Sequence, residues 1–370
     1  MATPDQIELP LARTLGTGIL SIILVLAIAA ACIAPFDHHF FLDWIGTAFM
    51  AATPVQIVLG LLWHNNKPDS VARLAQPLKG LALTGITILI ALLVMGLVMV
   101  TVGKGHGPTP MVAHYFIMSI VVTMWMIPIW QCWPASLMSK NPVAIGIFSL
   151  VLAYVFAYVL WLIFFDYSML GEIGHPHYHE DLDPKGLFDM WTAVIFFTTT
   201  AGLIVVHFLF DLWPIEKLSM GRPQPVRGLI ATAYLLALAW GMMALFIDVL
   251  GMPPVEYMVR VPVCMIFGTF LVNNMMQFSL FKHRDQPVRG LLLTACAVVV
   301  AMVMYELYRW ASGLHAGQAL GVGPQGGFAQ EIWIASAMLG VTFPVVFVVT
   351  GFFGFWPIQR SETMPKDTQS

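Results

Sequence analysis

The sequence predicts an all-α integral membrane protein of about ten transmembrane helices, and three observations carry that prediction. The first is composition: 59% of the 370 residues are hydrophobic and only 10% are charged, against roughly 45–50% and about 25% in a soluble domain. The second is the recurrence of apolar runs near 20 residues in length, which is what a helix needs to cross a hydrocarbon core about 30 Å thick. The third is that these runs lack the short alternating pattern of barrel strands. Backbone groups in lipid must bond internally, so long uninterrupted apolar runs mean a helical bundle.

Along the chain the runs fall near 13–35, 43–63, 79–102, 112–133, 143–165, 190–213, 228–250, 258–280, 290–311 and 331–356. The whole chain, 1–370, reads as a single polytopic membrane domain. No basic region, short apolar core and cleavage site mark a signal peptide, so the first run is expected to be retained. An even number of spans places both termini on one side. That side collects thirteen of the seventeen Lys and Arg residues, leaving Lys104, Lys185, Arg260 and Arg309 on the other. The positive-inside rule assigns the termini to the cytoplasm, with a bacterial inner membrane as the expected location. A net charge of −3 and the lack of a basic tail set nucleic acid aside and leave the lipid bilayer as the expected partner. Cys32, Cys132, Cys264 and Cys296 lie far apart inside apolar runs and form no CxxC motif.

The runs are not independent. "QPLKGLALT" at 76–84, "QPVRGLIAT" at 224–232 and "QPVRGLLLT" at 286–294 each open a span, with weaker copies in "NPVAIG" at 141–146 and "LPLARTLG" at 9–16. The prolines Pro10, Pro77, Pro142, Pro225 and Pro287 recur at steps of 67, 65, 83 and 62 residues. Each unit holds two spans, so the copies are expected to run parallel through the membrane. Residues 167–189 fall in the long step and read as a loop inserted in one repeat. Proline suits a first helical turn, and the basic residue beside it snorkels to phosphate headgroups, so a structural role accounts for the motif.

The polar residues are distributed unevenly. Eight of eleven histidines, His38, His39, His106, His114, His175, His177, His179 and His315, fall on the side opposite the termini. Four of the five spans that open with a proline copy end there in an acid, at Asp37, Asp166, Asp248 and Glu306, and the fifth ends near Lys104. If the units pack about one centre, these carboxylates stand at one depth and need partners. Imidazole with carboxylate suits zinc, iron, manganese or copper, which makes Asp37, His38, His39, His106, His114, Asp166, His175, His177 and His179 the candidate ligands. The tract "GEIGHPHYHEDLDPKG" at 171–186 matches no HExxH signature, and both a metal site and a solvated loop remain open. Inside the spans the polar groups are His207, which could pair with Asp211 four residues on, and Asn273, Asn274 and Gln277. The 23 methionines read as packing filler.

Three functions fit. The leading one is a transporter of a small solute or cation, linked to metal through the outer histidines and carboxylates. The second is a membrane-embedded metal-dependent oxidoreductase or oxygenase, or the membrane subunit of a redox complex. The third is an anchor for an outer-face protein partner.

Overall fold

The computed structural model describes residues 11–359, with side chains from residue 14 onward. Pro10 and the basic positions 360 and 366 lie outside the described residues, and the side chain of Arg13 is likewise not described. Among the described residues, ten helices are long and apolar enough to cross a membrane: α1 (Thr14–Ile33), α2 (His38–Leu62), α3 (Leu78–Thr101), α4 (Pro110–Ile129), α5 (Pro142–Phe164), α6 (Met190–Phe210), α7 (Val226–Val249), α8 (Pro254–Met275), α9 (Val288–Ala316) and α10 (Ala329–Phe352). The chain is an all-α multi-pass membrane protein. Every boundary lies within five residues of the one read from the sequence. The face where α1 begins and α10 ends is called the terminal face below, and the opposite one the tract face.

Burial divides the helices into two classes that alternate along the chain. In α2, α4, α6, α8 and α10, 61–78% of the most apolar window is buried, against 17–33% in α1, α3, α5, α7 and α9. The even-numbered helices close a ring: α2 packs on α4, α4 on α6, α6 on α8, α8 on α10, and α10 on α2. Each odd-numbered helix covers a seam of that ring. Thus α3 lies on α2 and α10, α5 on α4 and α2, α7 on α6 and α4, α9 on α8 and α6, and α1 on α10 and α8.

Chain chemistry follows the two classes. Four of the inner helices carry an internal proline, at Pro54, Pro128, Pro262 and Pro344, whereas the outer helices have proline at most at their first position. Proline removes a hydrogen bond from the helix, which is tolerable in a bilayer only where neighbours can satisfy the freed group. A neighbouring side chain also bonds the backbone there: Gln56 donates from Nε2 to the Pro344 carbonyl at 3.3 Å and joins α2 to α10. The inner helices also carry the buried hydroxyls of Thr53, Ser119, Thr123, Thr199, Thr200, Thr269 and Thr342. Most of these donate back to a carbonyl one turn earlier, which hides the hydroxyl within the helix.

The seams are sealed at the terminal face by one contact made five times. A Cβ added at Gly80, Gly146, Gly228 or Gly290, each in the first turn or two of an outer helix, would come within 2.2–2.6 Å of the rings of Phe353, Trp63, Trp130 and Phe210. At Gly18 of α1 the neighbour is Met276 together with the Met275 carbonyl. In each case the large side chain stands at or just past the end of an inner helix that the outer helix covers. The glutamine of the QP motif locks the same joint. Gln76 donates to the Phe352 carbonyl and Gln286 to the Leu209 carbonyl, while each accepts from the glycine N–H four residues on. Gln224 accepts from Gly228 in the same way, but its Nε2 has no partner.

Replacing Gly290 with alanine is therefore expected to cost about 1–3 kcal/mol by overpacking the Phe210 ring. A Cβ at Gly85 meets nothing within 4 Å, so Gly85→Ala should be neutral or stabilising by up to ~1 kcal/mol. Thermal unfolding midpoints in detergent distinguish the two, and equal midpoints would contradict the proposed joint.

Candidate functional site

Two places gather polar chemistry, one at each face. On the tract face the loop 167–189 is ordered by its own hydrogen bonds. It is closed at its base by the parallel pair β1 (Phe165–Asp166) and β2 (Phe188–Asp189). A Cβ at Gly186 would meet the Phe165 backbone at 2.6 Å, so only glycine lets the chain return this closely. Asp183 organises the interior: Oδ1 accepts from the backbone N–H groups of Tyr167 and Lys185, and Oδ2 accepts from the Tyr178 hydroxyl at 3.1 Å. Leu182 and Leu170 are buried beneath it.

This loop presents His179 and Asp181 to a second loop, between α3 and α4, that presents His106. Ligand atoms of the three all lie within 4.8 Å of one another. His106 Nε2 is 3.3 Å from Asp181 Oδ2, and the His106 and His179 rings stack with centroids 4.0 Å apart. The run Gly-Lys-Gly-His-Gly at 103–107 aims His106. Gly105 and Gly107 have φ of +86° and +84°, and Lys104 between Gly103 and Gly105 has φ of +44°, a left-handed path that favours glycine. Lys104 is the cation at the site: its Nζ donates to the Asp181 backbone carbonyl and lies 3.8 Å from Oδ2. Partial desolvation pushes the Asp181 carboxyl up, but the His106 hydrogen bond and the charges of His106 and Lys104 outweigh it and hold the group below the ordinary carboxylate value.

The remaining sequence candidates sit elsewhere. His175 and His177 face each other, with His175 Nδ1 accepting from the His177 N–H at 3.2 Å. Asp166 is committed to a turn, accepting from the N–H and hydroxyl of Ser168, and these bonds hold its carboxyl below the usual range. Asp37 caps the helix start at His39 and Phe40, and the His38 and His39 rings lie against each other at a tilt of 40°. His114 is buried in α4 against the Tyr167 hydroxyl at 3.2 Å, and that hydroxyl also accepts from Trp161. His315 spans Phe36 and Trp333. The helix-end acids gather into no ligand group among the described residues: Asp37 caps the inner helix α2, Asp166 lies in β1, and Asp248 and Glu306 lie in the outer helices α7 and α9. Glu306 pairs locally with Arg309 at 2.6 Å, and Asp248 stands at the edge of an apolar furrow between α5 and α7. Among the residues lining that furrow, of about 790 Å3, there is no histidine or cysteine.

The second place is a cavity of about 820 Å3 at the terminal face, bounded by the ends of α2, α6, α8 and α10. Asn273, Asn274 and Gln277 line it together with His64, Asn65, Thr269, Asp211 and Arg289. Three buried polar atoms of this lining have no partner: Asn65 Oδ1, Thr269 Oγ1 and Arg289 Nε. Buried polar atoms are nearly always satisfied, so three at one cavity mark a place prepared for something polar. Arg289 reaches Asp211 at 3.3 Å, and Gln277 donates to Gln359. The pairing of Asp211 with His207 does not form. The helical path ends before Asp211, whose φ is +51°, and His207 instead bonds the Leu203 carbonyl at 2.7 Å and the Tyr234 hydroxyl at 3.3 Å.

Sequence reading left Asp181, Asp183 and Glu331 out of its candidate site residues. Glu331 is only 3% exposed; Oε1 accepts from the Gly323 N–H and Oε2 has no partner. The glycines bracketing His106 were the available signal for a positioned histidine. No family model, curated protein or solved structure matches the chain.

Two outcomes follow. Asp183→Ala removes four acceptor contacts and should loosen the loop by roughly 2–4 kcal/mol. Hydrogen exchange should speed selectively at 165–189, and unchanged protection would refute the role of Asp183. Burial, followed by the charge of His177, lowers the proton affinity of His175. The unfolded loop then binds the proton more readily than the folded one, so loop stability should fall as pH drops through and below about 6.5. His175→Gln should flatten that pH dependence.

Proposed function

We propose that this protein is an inner-membrane transporter of a small polar solute, with the ring of even-numbered helices as the pathway and the terminal-face cavity as the solute chamber. One observation carries the reading: a cavity at the end of a closed helical ring that holds an unsatisfied acceptor, an unsatisfied hydroxyl and an unsatisfied guanidinium N–H. Its volume falls within the range of about 300–1,000 Å3 common to small-ligand sites. The charges of Arg289 and Asp211 pair, which leaves amides and hydroxyls to meet the ligand. A neutral or zwitterionic solute with both donors and acceptors suits that lining better than a bare cation. It also suits spans that carry few charged groups near their middles, where coupling-ion sites usually need them.

The excess of Lys and Arg on the terminal face supports a cytoplasmic location for the chamber and both termini. The proline-opened copies in the sequence, together with the contact made at all five seams, support construction from parallel two-helix units. The oxidoreductase reading has less support. Its apolar substrate would enter from lipid, yet the furrow between α5 and α7 offers no imidazole or thiol beside it. The anchor reading keeps the ordered tract-face loop as its docking element.

Uptake by reconstituted vesicles, measured with a panel of labelled small amides, amino acids and polyols, tests the proposal. Flux of at least one panel member is expected. Thr269→Val and Asn273→Leu should weaken its apparent affinity roughly 5–100-fold through loss of buried hydrogen bonds worth about 1–3 kcal/mol each. Absence of flux across the panel, or flux indifferent to both substitutions, overturns the assignment of the chamber.

A further inference from the structure

We infer that His106, His179 and Asp181 form a binding site for one divalent transition-metal ion of the zinc class, which clasps the loop before α4 to the loop 167–189. The inference stands apart from the transport reading, because it concerns the tract face and needs no solute. Two imidazoles and one carboxylate are a ligand set that zinc accepts with a fourth position left to water, whereas calcium and magnesium call for oxygen ligands. The ligand atoms already lie within 4.8 Å of one another. Metal–ligand bonds of about 2.0–2.2 Å require only a modest contraction of the two loops.

Both loops are built to hold their ligands. Glycines on either side fix the path through His106, and the loop interior ordered by Asp183 holds His179 and Asp181. The stacked imidazoles present two nitrogen donors to one volume, a placement that no hydrogen bond between the rings accounts for. His175 and His177 take no part, so one histidine of the three in the tract serves as ligand.

Lys104 gives the site a particular property. Its ammonium occupies the neighbourhood of the Asp181 carboxylate, 3.8 Å from Oδ2, where an incoming dication must also sit. Two cations cannot share that carboxylate without repulsion. Lys104 therefore holds the clasp in the metal-free protein and must swing away when metal enters, which keeps the affinity moderate and the binding reversible.

The test uses the full-length protein in detergent, with Co2+ absorption as a report on ligand type and Zn2+ calorimetry for affinity. Wild-type protein is expected to bind one ion, with a visible Co2+ spectrum of low-coordinate nitrogen–oxygen character. His106→Ala and His179→Ala should each weaken binding at least about tenfold, while His175→Ala and His177→Ala leave it unchanged. Lys104→Gln should tighten binding severalfold, a gain that a misfolded loop cannot produce. The inference fails if wild-type protein binds no Co2+ above the detergent blank, or if His106→Ala and His179→Ala bind like wild type. It fails equally if the spectrum is lost with His175 or His177, and weaker binding by Lys104→Gln overturns the competition.

Discussion

Closure of the inner ring is the constraint on which the rest of the molecule depends. A proline-interrupted helix rich in threonine is a poor lipid-facing element, because each freed carbonyl and each hydroxyl would meet hydrocarbon. The five inner helices can carry such residues only because each faces two ring neighbours and lies under outer helices. The glycine-to-ring joints set how closely those outer helices approach at the terminal face. Loss of one joint would expose not a patch of leucine but a seam between two irregular helices. The outer helices can accordingly be nearly featureless, and their lipid faces are.

The same division explains what each face can hold. The inner helices end together at the terminal face, so their last turns converge on one axis, and amides at 273, 274 and 277 meet Asn65 and Arg289 there. On the tract face Asp166 is held in its own turn and Glu306 pairs with Arg309 on its own helix, so neither reaches a shared site. Convergence on that face is achieved by loops instead: the 103–109 turn and the 167–189 loop reach toward one another and bring His106 to His179 and Asp181.

Much of the architecture was legible because hydropathy and helix length are local properties. The ten spans and their order could be read directly. Which spans are inner could be glimpsed in retrospect, since α8 averages 1.6 in mean hydropathy and α3 averages 2.7, but α7 at 2.0 and α10 at 2.2 blur the distinction. Proline and hydroxyl content separates the classes better than hydropathy, for the physical reason given above. The site was only half legible. His106 and His179 stood among nine candidate ligands, yet nothing in their separation of 73 residues says that two loops meet. Asp181 looked like one of several acids in a hydrophilic tract. Its distinction from Asp183 is purely geometric: Asp183 turns inward and is consumed by hydrogen bonds, whereas Asp181 turns toward His106 and Lys104.

Glu331 shows how burial and placement together change the meaning of a polar residue. In sequence it is an acid near the start of an apolar run, comparable with Asp37 or Asp248. In the fold it lies in the first turn of an inner helix, almost fully enclosed, with one oxygen bound to the Gly323 N–H and the other unpartnered. The first turn of a helix favours negative charge through its unsatisfied N–H groups, which offsets part of the cost of enclosing a carboxylate there. The same end of α10 also carries Trp333, whose ring packs with those of Phe41 and His315, so an enclosed acid and an aromatic cluster share the start of one inner helix.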